Sequence, residues 1–143
     1  MSAADAFGTV NWLAVVIAWI VTLGIGVLWY QPRAFGTAWA SRVSQWTGAA
    51  VPALLQGSPR QLAYWAIAFG ANVLVMALLL AALDASTLGD AVLIAVLTTA
   101  GFAMSFLSWP VIFSGMPPGV FVINSAAFLA MQLAIAAILV SFA

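Results

Sequence analysis

"NWLAVVIAWIVTLGIGVLWY", residues 11 to 30, carries no charged side chain through twenty positions. At about 1.5 Å per helical residue, that is the length needed to cross roughly 30 Å of bilayer hydrocarbon. Three more runs of the same kind follow, at about 62 to 83, 89 to 112 and 119 to 142, separated by short connections. In hydrocarbon every backbone N–H and C=O has to be satisfied within the protein. Runs this long and continuously apolar can do so only as helices, because barrel strands would alternate over about 10 residues. The expected fold is therefore an all-α membrane protein, a four-transmembrane-helix bundle forming a single domain over 1 to 143.

Composition agrees. Of the chain, 66% is hydrophobic and 4% charged, with three acidic residues, three arginines and no lysine. So little polar surface cannot keep a folded chain dissolved in water. The first run does not read as a signal peptide, since no Lys or Arg precedes it, its apolar stretch is too long and no small-x-small site follows it. Cysteine and histidine are both absent. Their absence leaves no disulfide framework, no thiolate and none of the commonest metal ligand or general base.

Outward from the first run lies "WYQPRAFGTAWASRVSQW", residues 29 to 46, with three of the seven tryptophans and two of the three arginines. Phe35, Trp39, Val43 and Trp46 recur at intervals of four, four and three, while Arg33, Thr37, Ser41, Arg42, Ser44 and Gln45 fall largely on other faces. This pattern predicts an amphipathic helix over about 35 to 46, lying in the headgroup plane with Phe35, Trp39, Arg42 and Trp46 as its anchors. Arg33, Arg42 and Arg60 all fall between runs 1 and 2. By the positive-inside rule this connection is cytoplasmic and both termini lie outside. Asp5 lies in the N-terminal tail, while Asp84 and Asp90 flank the turn between runs 2 and 3. "SPRQ" at 58 to 61 and "TLGD" at 87 to 90 supply helix starts, with Ser58 and Thr87 as caps, Pro59 at the first helical position and Asp90 in a first turn.

Inside the predicted membrane segments, small residues recur at helical spacing. They are Ala14, Ala18, Thr22 and Gly26 in run 1, Ala66 and Gly70 in run 2, Thr98, Gly101, Ser105 and Ser108 in run 3, and Ala126, Ala130 and Ala134 in run 4. Such seams let backbones approach closely, which helices embedded in lipid need because apolar side chains gain little by leaving it. Asn72, Asn124 and Gln132 are amides in or near the hydrocarbon, expected either to bond across helix interfaces or to line a ligand pocket; Asn124 and Gln132 share a face with Phe128. "TLGIGVLWYQPRAFG" from Thr22 also echoes "TAGFAMSFLSWPVIFSG" from Thr99, which would make the bundle two parallel hairpin repeats with the amphipathic helix inserted in the first.

The run "NWLAVVIAWIVTLGIGVLWYQPRAFGTAWA" resembles the opening signature of the domain of unknown function 1761 family. The resemblance is carried by Asn11, Trp12 and Leu13 and then by Gly26, Trp29, Tyr30, Pro32, Phe35, Gly36 and Trp39. It also extends to "FVINSAAFLAMQLAIAAIL" in the last run, while "SGMPPG" departs from the more polar turn expected there. The resemblance implies a small bacterial four-span inner-membrane protein and no activity. With no cofactor expected, no nucleic-acid partner and no transmembrane carboxylate, an enzyme is the least favoured class. A structural or accessory subunit, packing as a homo-oligomer or within a larger membrane complex, is favoured. The alternative is a small transporter or channel for a solute or lipid-like ligand. Either could hold a bound lipid or quinone.

Overall fold

A computed structural model describes residues 7–143, so Asp5 lies outside the described residues. The described chain is helical, with no strand. Helix α1 spans Trp12–Trp29, α2 Gly36–Thr47, α3 Val51–Gln56, α4 Pro59–Ala82, α5 Leu88–Thr98, α6 Met104–Ser114 and α7 Pro118–Ser141. A π-helical turn, Thr99–Ala103, joins α5 to α6 so that Leu88–Ser114 runs as one rod. Among the described residues, four helices are long and apolar enough to cross a membrane: α1, α4, the α5–α6 rod and α7. These fall within three residues of the predicted segments at every boundary. The short helix α3, which has no apolar periodicity, escaped the sequence reading.

The caps form as their chemistry requires. The amide of Gln61 donates to Ser58 Oγ at 3.2 Å, and that of Asp90 to Thr87 Oγ1 at 3.1 Å. In return the Thr87 hydroxyl donates to Asp90 Oδ2 at 2.6 Å. Asn11 caps α1, accepting from Ala14 N at 3.2 Å, and its own amide reaches Phe142 O at 3.0 Å. This last bond ties the start of α1 to the end of α7 and places both at the end of the bundle away from the arginines.

Helix α7 is the centre of the bundle, touching every other membrane helix, whereas α4 leans on α1 and α7 and hardly meets the α5–α6 rod. Its buried face, Val120, Ser125, Ala127, Met131, Gln132, Ile135, Ala136 and Leu139, is one residue away from the expected Ala126, Ala130, Ala134 seam. Ala126 is exposed. With neighbours on several sides, α7 buries large residues as well as small ones, so spacing among alanines alone did not mark its face.

The seam of α1 is buried throughout: Ala14, Ala18, Thr22 and Gly26 all face inward. Two tryptophans then interlock α1 with α4. A Cβ added at Gly26 would overlap the ring of Trp65, and one at Gly70 would come to 3.4 Å from Trp19 Nε1. The Trp19 indole N–H donates to Ala66 O at 2.8 Å, using a helix carbonyl as its acceptor in the apolar layer. Each glycine thus makes the slot for the other helix's tryptophan.

The third rod corrects the sequence expectation. Gly101 and Ser105 are exposed, and a Cβ at Gly101 would meet nothing within 4 Å. The small residues that pack are instead Ala91, Ala95 and Thr99. Thr99 opens the π turn on its buried side, while Gly101 within the turn and Ser105 after it are exposed. The echo between runs 1 and 3 keeps a buried threonine in each, Thr22 and Thr99. Beyond it the segments differ, because α1 ends at Trp29 while α6 continues through Trp109 and Pro110 to Ser114.

Candidate functional site: a lateral crevice floored by two amides

Because α4 and the α5–α6 rod stand apart, a crevice of about 640 Å³ opens between them, floored by α7. Asn72, Val75, Met76 and Leu79 form one wall, Thr98, Phe102, Ala103, Phe106 and Leu107 the other, and Phe128 and Gln132 the floor. The π turn contributes to the far wall, supplying Phe102 and Ala103 directly. Single π turns inside α-helices frequently mark functional positions because they re-aim side chains on either side. Phe102 and Phe106, 76% and 75% exposed, stand at the open side, so the crevice gives onto the surface that faces lipid.

Two of the three predicted amides meet here. Asn72 Nδ2 donates to Gln132 Oε1 at 3.0 Å, and the reciprocal contact from Gln132 Nε2 to Asn72 Oδ1 is longer, at 3.5 Å. Gln132 is only 4% exposed. Along α4, Asn72 lies about 20 Å from the Pro59 end and about 15 Å from the Ala82 end; Gln132 divides α7 similarly. The pair therefore sits within about 4 Å of the middle of both spans. No Asp, Glu, Lys or Arg lines the crevice.

Asn124 belongs elsewhere. Its Oδ1 accepts from the Tyr30 hydroxyl at 2.8 Å, fastening the residue after α1 to α7 near the arginine-bearing end. Burial pushes the Tyr30 phenol up to about 12, so the hydroxyl keeps its proton and remains the donor.

The amphipathic helix α2 forms as periodicity predicts, but it packs on protein with a neighbouring stripe. Gly36, Ala40 and Val43 are its buried residues. Val43 joins Met116 and Val120 in a small core, flanked by Trp39, Leu54, Val111 and Phe121. Phe35 precedes the helix and packs its ring at a tilt against Trp29, centroids 4.5 Å apart, while the Trp46 indole N–H donates to Ser114 O at 2.7 Å. A Cβ at Gly36 would overlap the Tyr30 carbonyl, and one at Gly119 would collide with Arg42, whose Nη1 donates to Ala38 O at 2.8 Å. Hydrophobicity alone pointed to the tryptophans. Gly36 and Ala40 join Val43 in the contact, and their small size admits the close approach.

Comparison with known proteins adds the lineage. Neither a curated protein nor a solved structure matches this chain. A family model described as "Protein of unknown function (DUF1761)" matches residues 13–140, which takes in all but the end residues of the four membrane helices, together with α2 and both crevice amides. With nearly its whole length matched, the chain belongs to the DUF1761 family.

Proposed function

We propose that this multi-pass membrane protein is a non-enzymatic accessory subunit that holds one hydrophobic guest, taken sideways from the bilayer into the crevice between α4 and the α5–α6 rod. The observation that carries this reading is an uncharged, lipid-facing crevice with a polar floor at mid-membrane depth. A volume of about 640 Å³ is in the range of small-molecule sites, as is a lining of apolar and aromatic walls with a few convergent polar groups. An aqueous solute would need a polar route from one end of the bundle to the other, and the lining of this crevice is apolar apart from Asn72, Thr98 and Gln132. Holding a guest is therefore favoured over conducting one. The sequence supplies no histidine, no cysteine and no transmembrane carboxylate with which to transform it.

The exposed Gly101 and Ser105 stripe supports association with a second copy or a larger complex, since small residues on a lipid-facing helix admit another helix closely. All three arginines lie at or beside the connection from α1 to α4, which supports a cytoplasmic position for that end and a periplasmic position for both termini. Native mass spectrometry of the protein released from nanodiscs tests the guest: a stoichiometric adduct of one lipid-soluble molecule is expected. Protein that carries only a ladder of bulk phospholipids, unchanged when Phe102→Trp narrows the crevice mouth, overturns the reading.

A further inference from the structure

Resting on the reading of the crevice as a guest site, we infer that its guest is a neutral quinone-class molecule, whose ring carbonyl accepts a hydrogen bond from the free amide hydrogens of Asn72 and Gln132. Each carboxamide has two N–H donors. One of each is directed at the other amide, through the 3.0 Å and 3.5 Å contacts, and neither nitrogen has a second partner among the described residues. In hydrocarbon an unmade hydrogen bond is costly, so an acceptor is wanted at that place.

Depth, charge and wall chemistry then narrow the class. The amides lie near the middle of both helices, about 15 Å from the level of phospholipid ester carbonyls at the edge of a ~30 Å hydrocarbon layer. A bilayer phospholipid cannot bring its headgroup there without dragging charge into the core. The absence of any charged side chain in the lining likewise leaves nothing to stabilise a carboxylate or phosphate. Phe102 and Phe106 at the open side and Phe128 in the floor put three aromatic rings in the lining, which suit a planar ring more than a flexible acyl chain. A molecule that is neutral, planar, lipid-soluble and tipped with carbonyl oxygens satisfies all of these, and its apolar tail can leave by the open side.

The test uses full-length protein in nanodiscs and a photoreactive decyl-tailed benzoquinone as probe. Expected is labelling of residues 102–107 or Phe128, displaced by unlabelled decyl-benzoquinone at about tenfold lower concentration than by decylbenzene, which has the same shape without carbonyls. The double variant Asn72→Leu/Gln132→Leu removes both polar partners together, leaving neither amide unpaired, and its folding is checked by its melting transition. It should lose the tenfold preference while still binding decylbenzene. If decylbenzene competes equally with wild type, if the double variant keeps the preference, or if a fatty methyl ester outcompetes the quinone, the quinone assignment is overturned although the crevice still holds a guest. Absence of crevice labelling by quinone, hydrocarbon and ester probes alike overturns the assignment and the guest site together.

Discussion

Helix α4 has two unlike sides. Toward α1 it presents Ala66, Gly70 and Trp65, and the helices close until tryptophan fills the groove over glycine. Toward the α5–α6 rod it presents Val75 and Leu79 beside Asn72, and the helices stay apart around a crevice of about 640 Å³. Both sides are apolar, so hydrophobicity does not distinguish them. In lipid, closing a gap gains only van der Waals contact and polar bonds, and that gain needs backbones near one another. Small residues admit that approach on one side, while on the other Asn72, Val75, Met76 and Leu79 line a gap that the rod does not close.

The sharpest way to break this comparison is at the closed side. Gly26→Leu should abolish the folded bundle, and Gly26→Ala should cost at least the 1–3 kcal/mol typical of overpacking, because the new side chain meets the Trp65 ring rather than lipid. Trp65→Leu should recover much of the Gly26→Ala loss, a coupling visible in a double-mutant cycle of thermal melts. Full additivity would mean the two residues do not share the slot.

At the open side the amide pair gives the next largest effect. Asn72→Leu or Gln132→Leu should each cost about 0.6–2 kcal/mol, and the double change less than their sum, since a single change strands the remaining amide. In α2, Trp46→Phe keeps the aromatic body and removes the bond to Ser114 O, for about 0.5–1.5 kcal/mol in the same assay.

The smallest effect on stability belongs to the outer face. Gly101→Leu enters open space and should shift the melting of the isolated protein by no more than about 0.5 kcal/mol. If that stripe meets a second copy, cross-linking through Ser105→Cys should fall in the same background. Orientation is checked in intact cells, where Ser86→Cys should react with an impermeant thiol reagent and Gln56→Cys should not.

Number, length and order of the membrane helices were legible in the sequence because burial in hydrocarbon acts on each segment separately. So were the caps at Ser58 and Thr87, whose partners lie three residues away. The α1 seam was legible too, since one face of that helix carries its small residues at strict spacing. Contacts between segments were not. Gly101 and Ser105 have the same spacing as a buried seam, and nothing local says that they stay outside while Ala91, Ala95 and Thr99 go in. Nor does the stripe Phe35, Trp39, Val43, Trp46 show that Gly36 and Ala40 touch the protein. Asn72 and Gln132 could be read as buried amides, but 60 positions separate them. Their meeting at the floor of an open crevice is decided only where α4, α7 and the α5–α6 rod come together.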